Sequence, residues 1–324
     1  MDLRLWKQRP TLEKRLQNIE SIMKQQVQID DDDFKKSINE LINGSGKMLR
    51  AAFLMLFTEF GTQKDNDDYF EKVAASVELI HLASLVHDDV IDKSDLRRGV
   101  TSLNYKFGER TSIYLGDYLF VKYFHLVLDT LPNKNDIKYN VSGIEGIIDG
   151  ELRQNETKFD PKRTEEQYLA AIQGKTADLF KIAAGNGAII SKADANIIKL
   201  SEQIGSEFGI AFQLRDDLID FEDTEEEAGK PILNDILDGV YTLPVIYAMQ
   251  TNYHDELFAI LNKKDQLQRA DLIKVKDIVK ESESLDKTHA KMDEYNKSIK
   301  QMIDQLPNNN ARKVLLKLVN KLFS

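Results

Sequence analysis

The amino-acid sequence predicts an all-α fold, one large helical bundle spanning residues 1–324 as a single domain. Three observations carry this. Apolar residues recur at helical spacing along nearly the whole chain. Only 6 prolines and 16 glycines interrupt them. No stretch alternates apolar and polar residues as a half-buried strand would. No sequence repeat and no linker-like composition divides the chain, which is long enough for one sizeable core.

Leu12, Leu16, Ile19 and Met23 share a helix face. The run Asp30 to Asp33 precedes the next stripe, Ile38, Leu41 and Ile42. Negative charge suits a helix N-terminus, so these aspartates read as capping residues and not as metal ligands. Asn43-Gly44-Ser45-Gly46 ends that helix, and Leu49 to Phe57 opens a strongly apolar one. Val73, Val77, Ile80, Ser84, Asp88 and Ile91 trace one stripe through the longest early helix. Further helical patterns cover 109–130, 134–158, 164–187, 191–220 and 243–262, with shorter ones to the C-terminus. An acidic loop runs from Asp223 to Gly229, its Glu225-Glu226-Glu227 read as solvated charge, and Lys230-Pro231 closes it.

Composition narrows the function. A net charge of −10 and the lack of a basic stripe argue against nucleic acid as a partner. Without cysteine there is no disulfide, thiolate nucleophile or zinc–sulfur site. The first residues lack the apolar segment of a signal peptide, and no apolar run is long enough to span a bilayer. The expected location is the cytoplasm.

Two copies of one word stand out, Asp88-Asp89-Val90-Ile91-Asp92 and Asp216-Asp217-Leu218-Ile219-Asp220. Each ends a long apolar helical pattern, so six carboxylates gather at two helix C-termini. There they repel one another and oppose the helix dipole. Positions i and i+4 lie on one face about 6 Å apart along the axis, so Asp88 pairs with Asp92 and Asp216 with Asp220. Gln213 lies on the same face as the second word, one turn earlier. A hard divalent cation relieves such clusters, and Mg²⁺ keeps waters that phosphate oxygens can replace. Two such helix ends facing each other would cage several ions and a polyphosphate. Basic residues could answer the phosphates: Lys47 and Arg50 in GSGKMLR, where a glycine break opens a helix, and Arg97 and Arg98 just after the first word.

In order along the chain, GSGKMLR, HDDVIDKSDLRRG, GKTADLF, and FQLRDDLIDF followed by GKPILNDI resemble the signature segments of the trans-isoprenyl diphosphate synthases, or polyprenyl synthetases. The chain is similar in particular to long-chain bacterial catalytic subunits of the heptaprenyl type. The resemblance implies a bundle of the isoprenoid synthase type with a central cavity. It also implies Mg²⁺-dependent head-to-tail (1'-4) condensation of isopentenyl diphosphate with an allylic diphosphate. By resemblance Asp88, Asp89, Asp92, Asp216, Asp217 and Asp220 surround the metal, with Asp88, Asp92 and Asp216 as direct ligands. Arg97, Lys175 and Lys230 grip the allylic diphosphate, while Lys47, Arg50, His81 and Arg98 hold isopentenyl diphosphate. Dipoles of Lys175, Thr176 and Gln213 face the allylic cation, and no protein nucleophile is needed. His87 is given no role.

Ala83 and Ser84 lie about one turn before Asp88, where short-chain members carry an aromatic floor. Their small size implies a product longer than fifteen carbons, with Phe120 or Phe124 as a deeper floor. The resemblance further implies a homodimer formed through an apolar helix face or a heteromer with a small accessory subunit, and membrane proximity at product release. The pattern departs from the family at Met48, at Val240 where many members carry lysine, and at Gln154. A class I terpene cyclase is disfavoured by the intact second word, and a non-catalytic subunit by the presence of both words.

Overall fold

The computed structural model describes all residues except 1–4, 8, 45, 64–66, 98–99, 132, 224–231 and 324. Helix α1 (Pro10–Gln26) has proline in its first turn, where no N–H partner is needed, and buries Leu16, Ile19 and Met23. In α2 (Asp32–Asn43) the expected capping is present: the Asp31 carboxylate accepts from the N–H groups of Asp33 and Phe34, both at 3.0 Å. Helix α3 (Leu49–Phe57) starts after Met48, whose φ of 48° turns the chain into it, and buries all its residues but Arg50. Of the predicted stripe in helix α4 (Asp67–Ile91), Val73, Val77 and Ile80 are buried, Ser84 and Asp88 are partly buried, and Ile91, at the helix end, is exposed.

After α4 comes a hairpin that the sequence did not announce. Strands β1 (Leu96–Arg97) and β2 (Val100–Thr101) pair antiparallel, Arg97 opposite Val100. Two residues per strand are too few for a detectable alternation. Helices α5 (Leu103–Phe107), α6 (Glu109–Thr130), α7 (Lys134–Glu156) and α8 (Glu165–Ile172) follow. The predicted helix over 164–187 is observed as α8, a π-helical segment at Gln173–Ala177, and α9 (Asp178–Ile190). Helix α10 (Ala195–Glu222) begins later than the stripe suggested, because the Asp194 carboxylate caps the N–H groups of Asn196 and Ile197.

The single helix expected over 243–262 is two, Leu243–Ala248 and His254–Leu261. Between them the Thr251 hydroxyl turns back to Ala248 O at 2.7 Å, a local bond that competes with the helical ladder. Further helices occupy Asn234–Leu237, Arg269–Glu281, Ser284–Ile303 and Asn310–Phe323. None of the helices described is long and apolar enough to cross a membrane.

The chain forms two compact units. The first comprises Met1–Ser142, Leu179–Gly205 and Leu306–Ala311; the second comprises Gly143–Asp178, Ser206–Gln305 and Arg312–Ser324. In the first, α4 packs against α1, α3 and α6, and Phe53 meets Phe180 edge-on at 5.5 Å. In the second, Phe221, Tyr241, Val245, Leu257, Val275 and Val279 form one buried cluster. Each unit contains one of the aspartate words.

Candidate active site

In the first unit, Asp88 and Asp89 lie in the last turn of α4 and Asp92 follows its end, its N–H bonded to Asp88 O at 2.8 Å. The three carboxylates have different surroundings: Asp92 is exposed, Asp88 partly buried, and Asp89 buried. Burial raises the Asp89 pKa, and Asp92 adds to that, while the Arg97 guanidinium opposes it. The hairpin brings Arg97 to this carboxylate, with Nε donating to Asp89 Oδ1 at 2.7 Å and Nη2 pairing with the same oxygen. Arg97 also lines a narrow cleft with His81, Glu78, Gly44 and Val100. Two expected phosphate-binding residues, His81 and Arg97, are therefore neighbours, although they stand sixteen positions apart.

The GSGKMLR segment is pinned from outside, since Trp6 Nε1 donates to Lys47 O at 2.8 Å. Lys47 is exposed, and the Arg50 guanidinium lies 4.6 Å from the Phe180 ring centroid. The start of α3 was expected to offer backbone donors to an anion. One is already engaged: buried Glu78 accepts from Ala51 N–H at 2.9 Å. A glutamate on an apolar helix was the available signal for this contact. Ala83 is fully buried, and the partly buried Ser84 donates to His81 O at 2.8 Å. The His87 ring stacks on Phe120 with centroids 5.5 Å apart. Gly116 permits that approach, because a Cβ there would stand 2.4 Å from His87 Nε2. Phe124 lies on the more exposed side of α6.

In the second unit, Lys175 and Thr176 lie in the π-helical segment, a distortion often found where helices serve a site. Close backbone approach accompanies it. A Cβ on Gly150 would come within 2.3 Å of Lys175 N, and one on Gly174 within 2.3 Å of Gly146 O. Lys175 Nζ reaches both Glu151 oxygens, at 3.1 and 3.2 Å. Thr176 Oγ1 donates to Gln213 Oε1 at 2.9 Å, and Gln213 Nε2 donates to Asp217 Oδ1 at 2.9 Å. The Tyr168 hydroxyl donates to the other oxygen of Asp217. Asp217 and Asp220 are buried, while Asp216 is partly so.

Desolvation drives the Asp217 carboxyl up to about 8, assisted by the charges of Asp235 and Asp216 and opposed by the hydrogen bonds from Tyr168 and Gln213. Buried Arg163 lies 5.6 Å from the Tyr168 ring centroid and donates from Nη1 to Tyr241 O at 3.0 Å. Its pKa is lowered by burial, against the pull of the nearby negative groups. Sequence reasoning did not single out Glu151, Arg163, Tyr168 or Asp235. Tyr168 offered a signal, a tyrosine two turns before Lys175 on a predicted helix, and Asp235 lies within the segment GKPILNDI; Glu151 and Arg163 offered none. Arg98 and Lys230 lie outside the described residues. Among the described residues no three carboxylate or imidazole groups converge tightly enough to hold an ion. Each word instead carries its three carboxylates in unlike surroundings.

An all-α fold with an aspartate word at the end of each of two long helices is the arrangement expected of a transferase acting on prenyl diphosphates. The chain belongs to the polyprenyl synthetase family, whose model matches residues 31–281. It is 34% identical over 275 residues to heptaprenyl diphosphate synthase component 2 of Geobacillus stearothermophilus, covering 85% of this chain and 84% of that one. The geranylgeranyl pyrophosphate synthase of Lactobacillus brevis superimposes with a TM-score of 0.94 at 31% identity, over 99% of both chains. The heptaprenyl diphosphate synthase of Staphylococcus aureus gives 0.91 at 30% identity, over 97% of this chain and 98% of that one. The protein is an enzyme of the trans-prenyltransferase type, which decides against the terpene cyclase and the non-catalytic subunit.

Proposed function

We propose that the chain makes linear trans-polyprenyl diphosphates longer than fifteen carbons, by repeated head-to-tail addition of isopentenyl diphosphate to an allylic diphosphate, working as one domain. The observation that carries this reading is the bonded chain from Thr176 through Gln213 to Asp217. It joins neutral dipoles, suited to an allylic cation, to an acidic word suited to a metal-bound diphosphate. In this reading Arg97, Lys175 and Lys230 hold the allylic diphosphate, and Lys47, Arg50, His81 and Arg98 hold isopentenyl diphosphate. Planar guanidinium forks match phosphate oxygens in both places.

Mg²⁺ fits the donors present. Every donor in the two words is a hard carboxylate oxygen, and the charges of Asp235 and Asp216 gather around Asp217. Asp88, Asp92 and Asp216 would bind it directly, with Asp89, Asp217 and Asp220 around them. When bound it supplies Lewis-acid stabilisation to the leaving diphosphate. The protein's own part is to orient both diphosphates with its cationic side chains and to present Thr176 and Gln213 to the allylic carbon. A related polyprenyl synthase from Caulobacter crescentus crystallised with calcium and isoprenyl diphosphate, which supports a divalent ion beside such a ligand here.

The names of relatives run from geranylgeranyl to decaprenyl diphosphate synthase, so product length rests on this chain's own residues 83 and 84. Ala83 and Ser84 leave no aromatic one turn below Asp88, while Phe120 packs on His87, beside the word itself. A homodimer is supported by the apolar side chains that α6 leaves exposed, among them Tyr114, Val121 and Leu128. The name component 2 borne by relatives favours a second reading, a catalytic chain completed by an accessory subunit. A cytoplasmic enzyme touching the membrane at product release suits the greasy product.

The test incubates the purified chain with Mg²⁺, farnesyl diphosphate and labelled isopentenyl diphosphate and weighs the products. Linear products beyond fifteen carbons are expected, and Ala83→Phe or Ser84→Phe should shorten them. Unchanged lengths in both variants would remove the floor argument. Absence of elongation by the chain alone would favour the accessory subunit over the homodimer.

A further inference from the structure

We propose that Tyr168 is a positioning residue that fixes the hydrogen-bonding direction of Thr176 and Gln213 through Asp217, so that the Thr176 oxygen keeps its lone pairs for the allylic cation. The inference deepens the functional reading above and rests on its placing Thr176 and Gln213 beside the reacting carbon.

Asp217 Oδ1 accepts from the amide NH₂ of Gln213, at 2.9 Å. That contact removes the ambiguity of an amide, whose two ends could otherwise exchange by a half-turn. With NH₂ committed to Asp217, Oε1 is left toward Thr176, at 2.9 Å, and the Thr176 hydroxyl must donate to it. Its proton is thereby directed away from any electron-poor carbon, and its lone pairs stay uncommitted by this bond. A freely rotating hydroxyl would have no such bias.

The direction is only as firm as Asp217. Its Oδ2 accepts from the Tyr168 hydroxyl, so both oxygens are tied and the carboxylate cannot swing. Asp217 is only 2% exposed, so water cannot readily replace a lost donor. Tyr168 in turn is enclosed by packed side chains. Its ring is fully buried with the Arg163 guanidinium 5.6 Å from its centroid, and Arg163 donates to Tyr241 O at 3.0 Å. The Tyr241 hydroxyl donates to Leu261 O at 3.1 Å, which ties the anchor to the core of the second unit. The bland alternative is that Tyr168 merely satisfies a buried phenol. The two differ in what its removal does to Gln213 and to the rate constant. Dipoles fixed beforehand lower the barrier and leave ground-state binding alone.

Tyr168→Phe keeps the ring and removes the donor. We expect kcat for condensation to fall tenfold or more, with KM for both diphosphates and the half-saturating Mg²⁺ concentration within about twofold of wild type. The double variant Tyr168→Phe/Thr176→Val should be no slower than Thr176→Val alone by more than about threefold, since both break one chain. In the metal-free protein the Gln213 side-chain amide should give one sharp pair of NMR resonances, broadened or shifted in Tyr168→Phe. Unchanged kcat, losses that multiply in the double variant, or an unmoved Gln213 amide would each overturn the inference. Should Tyr168→Phe fail to fold, Thr176→Val must itself shift the Gln213 amide, and an unmoved signal there overturns it as well. A wild type that consumes no isopentenyl diphosphate would defeat the functional reading instead, and the amide signal would still decide the positioning claim.

Discussion

The two aspartate words are the same pentapeptide apart from one aliphatic residue, Val90 against Leu218, yet they are stabilised in opposite ways. In the first, the buried central aspartate, Asp89, meets a full positive charge: Arg97 reaches it from the hairpin, and the flanking Asp92 is in solvent. In the second, the central aspartate, Asp217, receives only neutral donors, Tyr168 and Gln213, in a sealed place where Asp235 and Asp216 add negative charge. The carboxyl pKa accordingly rises to about 8 at Asp217. Local sequence gives both words the same helical spacing. What packs over the middle residue decides whether it meets a full positive charge or only neutral donors.

The largest effect should come from removing a carboxylate proposed to touch the metal. Asp88→Ala and Asp216→Ala should each lower turnover about a thousandfold or more, because several kcal/mol of charge stabilisation depends on the ion, while circular dichroism shows an intact helical fold. Near-normal turnover in either variant would break the symmetry between the words and exclude that word from the chemistry.

Metal removal and pH should sharpen the contrast. A carboxyl raised from the usual 3.8 to about 8 in the folded protein favours folding fully below pH 4, and that contribution is lost as pH rises through 8. Metal-free protein should therefore melt lower at pH 8 than at pH 5, and Mg²⁺ should close most of the gap. Asp217→Asn should raise the metal-free melting temperature at pH 8 by a few degrees. Asp89→Asn should not, because it discards the Arg97 pair. Equal responses of the two variants would mean that the difference in surroundings has no energetic consequence.

The smallest effect concerns the hairpin. Arg97→Ala should cost about 1–3 kcal/mol in urea unfolding, the range for losing a hydrogen bond to a charged, buried group. The cost should shrink in Arg97→Ala/Asp89→Asn, where no charge is stranded. A loss equally large in the double variant would trace it to the hairpin's packing and not to the ion pair.

Much of this was legible in the sequence. The stripes Leu16–Ile19–Met23 and Val73–Val77–Ile80 became buried helix faces, because a 3.6-residue period survives any packing arrangement. Asp31 capped α2 as charge and dipole require. Six aspartates and the run from Lys175 to Thr176 were visible as types and spacings. The π-helical turn that holds Lys175 and Thr176 was not, since it accompanies the close approach of Gly150 and Gly174, a contact between residues 24 positions apart. The break at Thr251 was equally hidden, because a hydroxyl bonding back to Ala248 leaves the apolar periodicity on both sides intact.

The sequence by itself determined the helical class, the family and the residue types that can bind diphosphate and metal, because these depend on local period, charge and order along the chain. Only the tertiary structure decided that Arg97 answers Asp89, that Glu78 engages a donor at the start of α3, and that Tyr168 holds Asp217. Those contacts join residues 8, 27 and 49 positions apart. Their partners are set by which surfaces fold together, and no spacing along the chain encodes that.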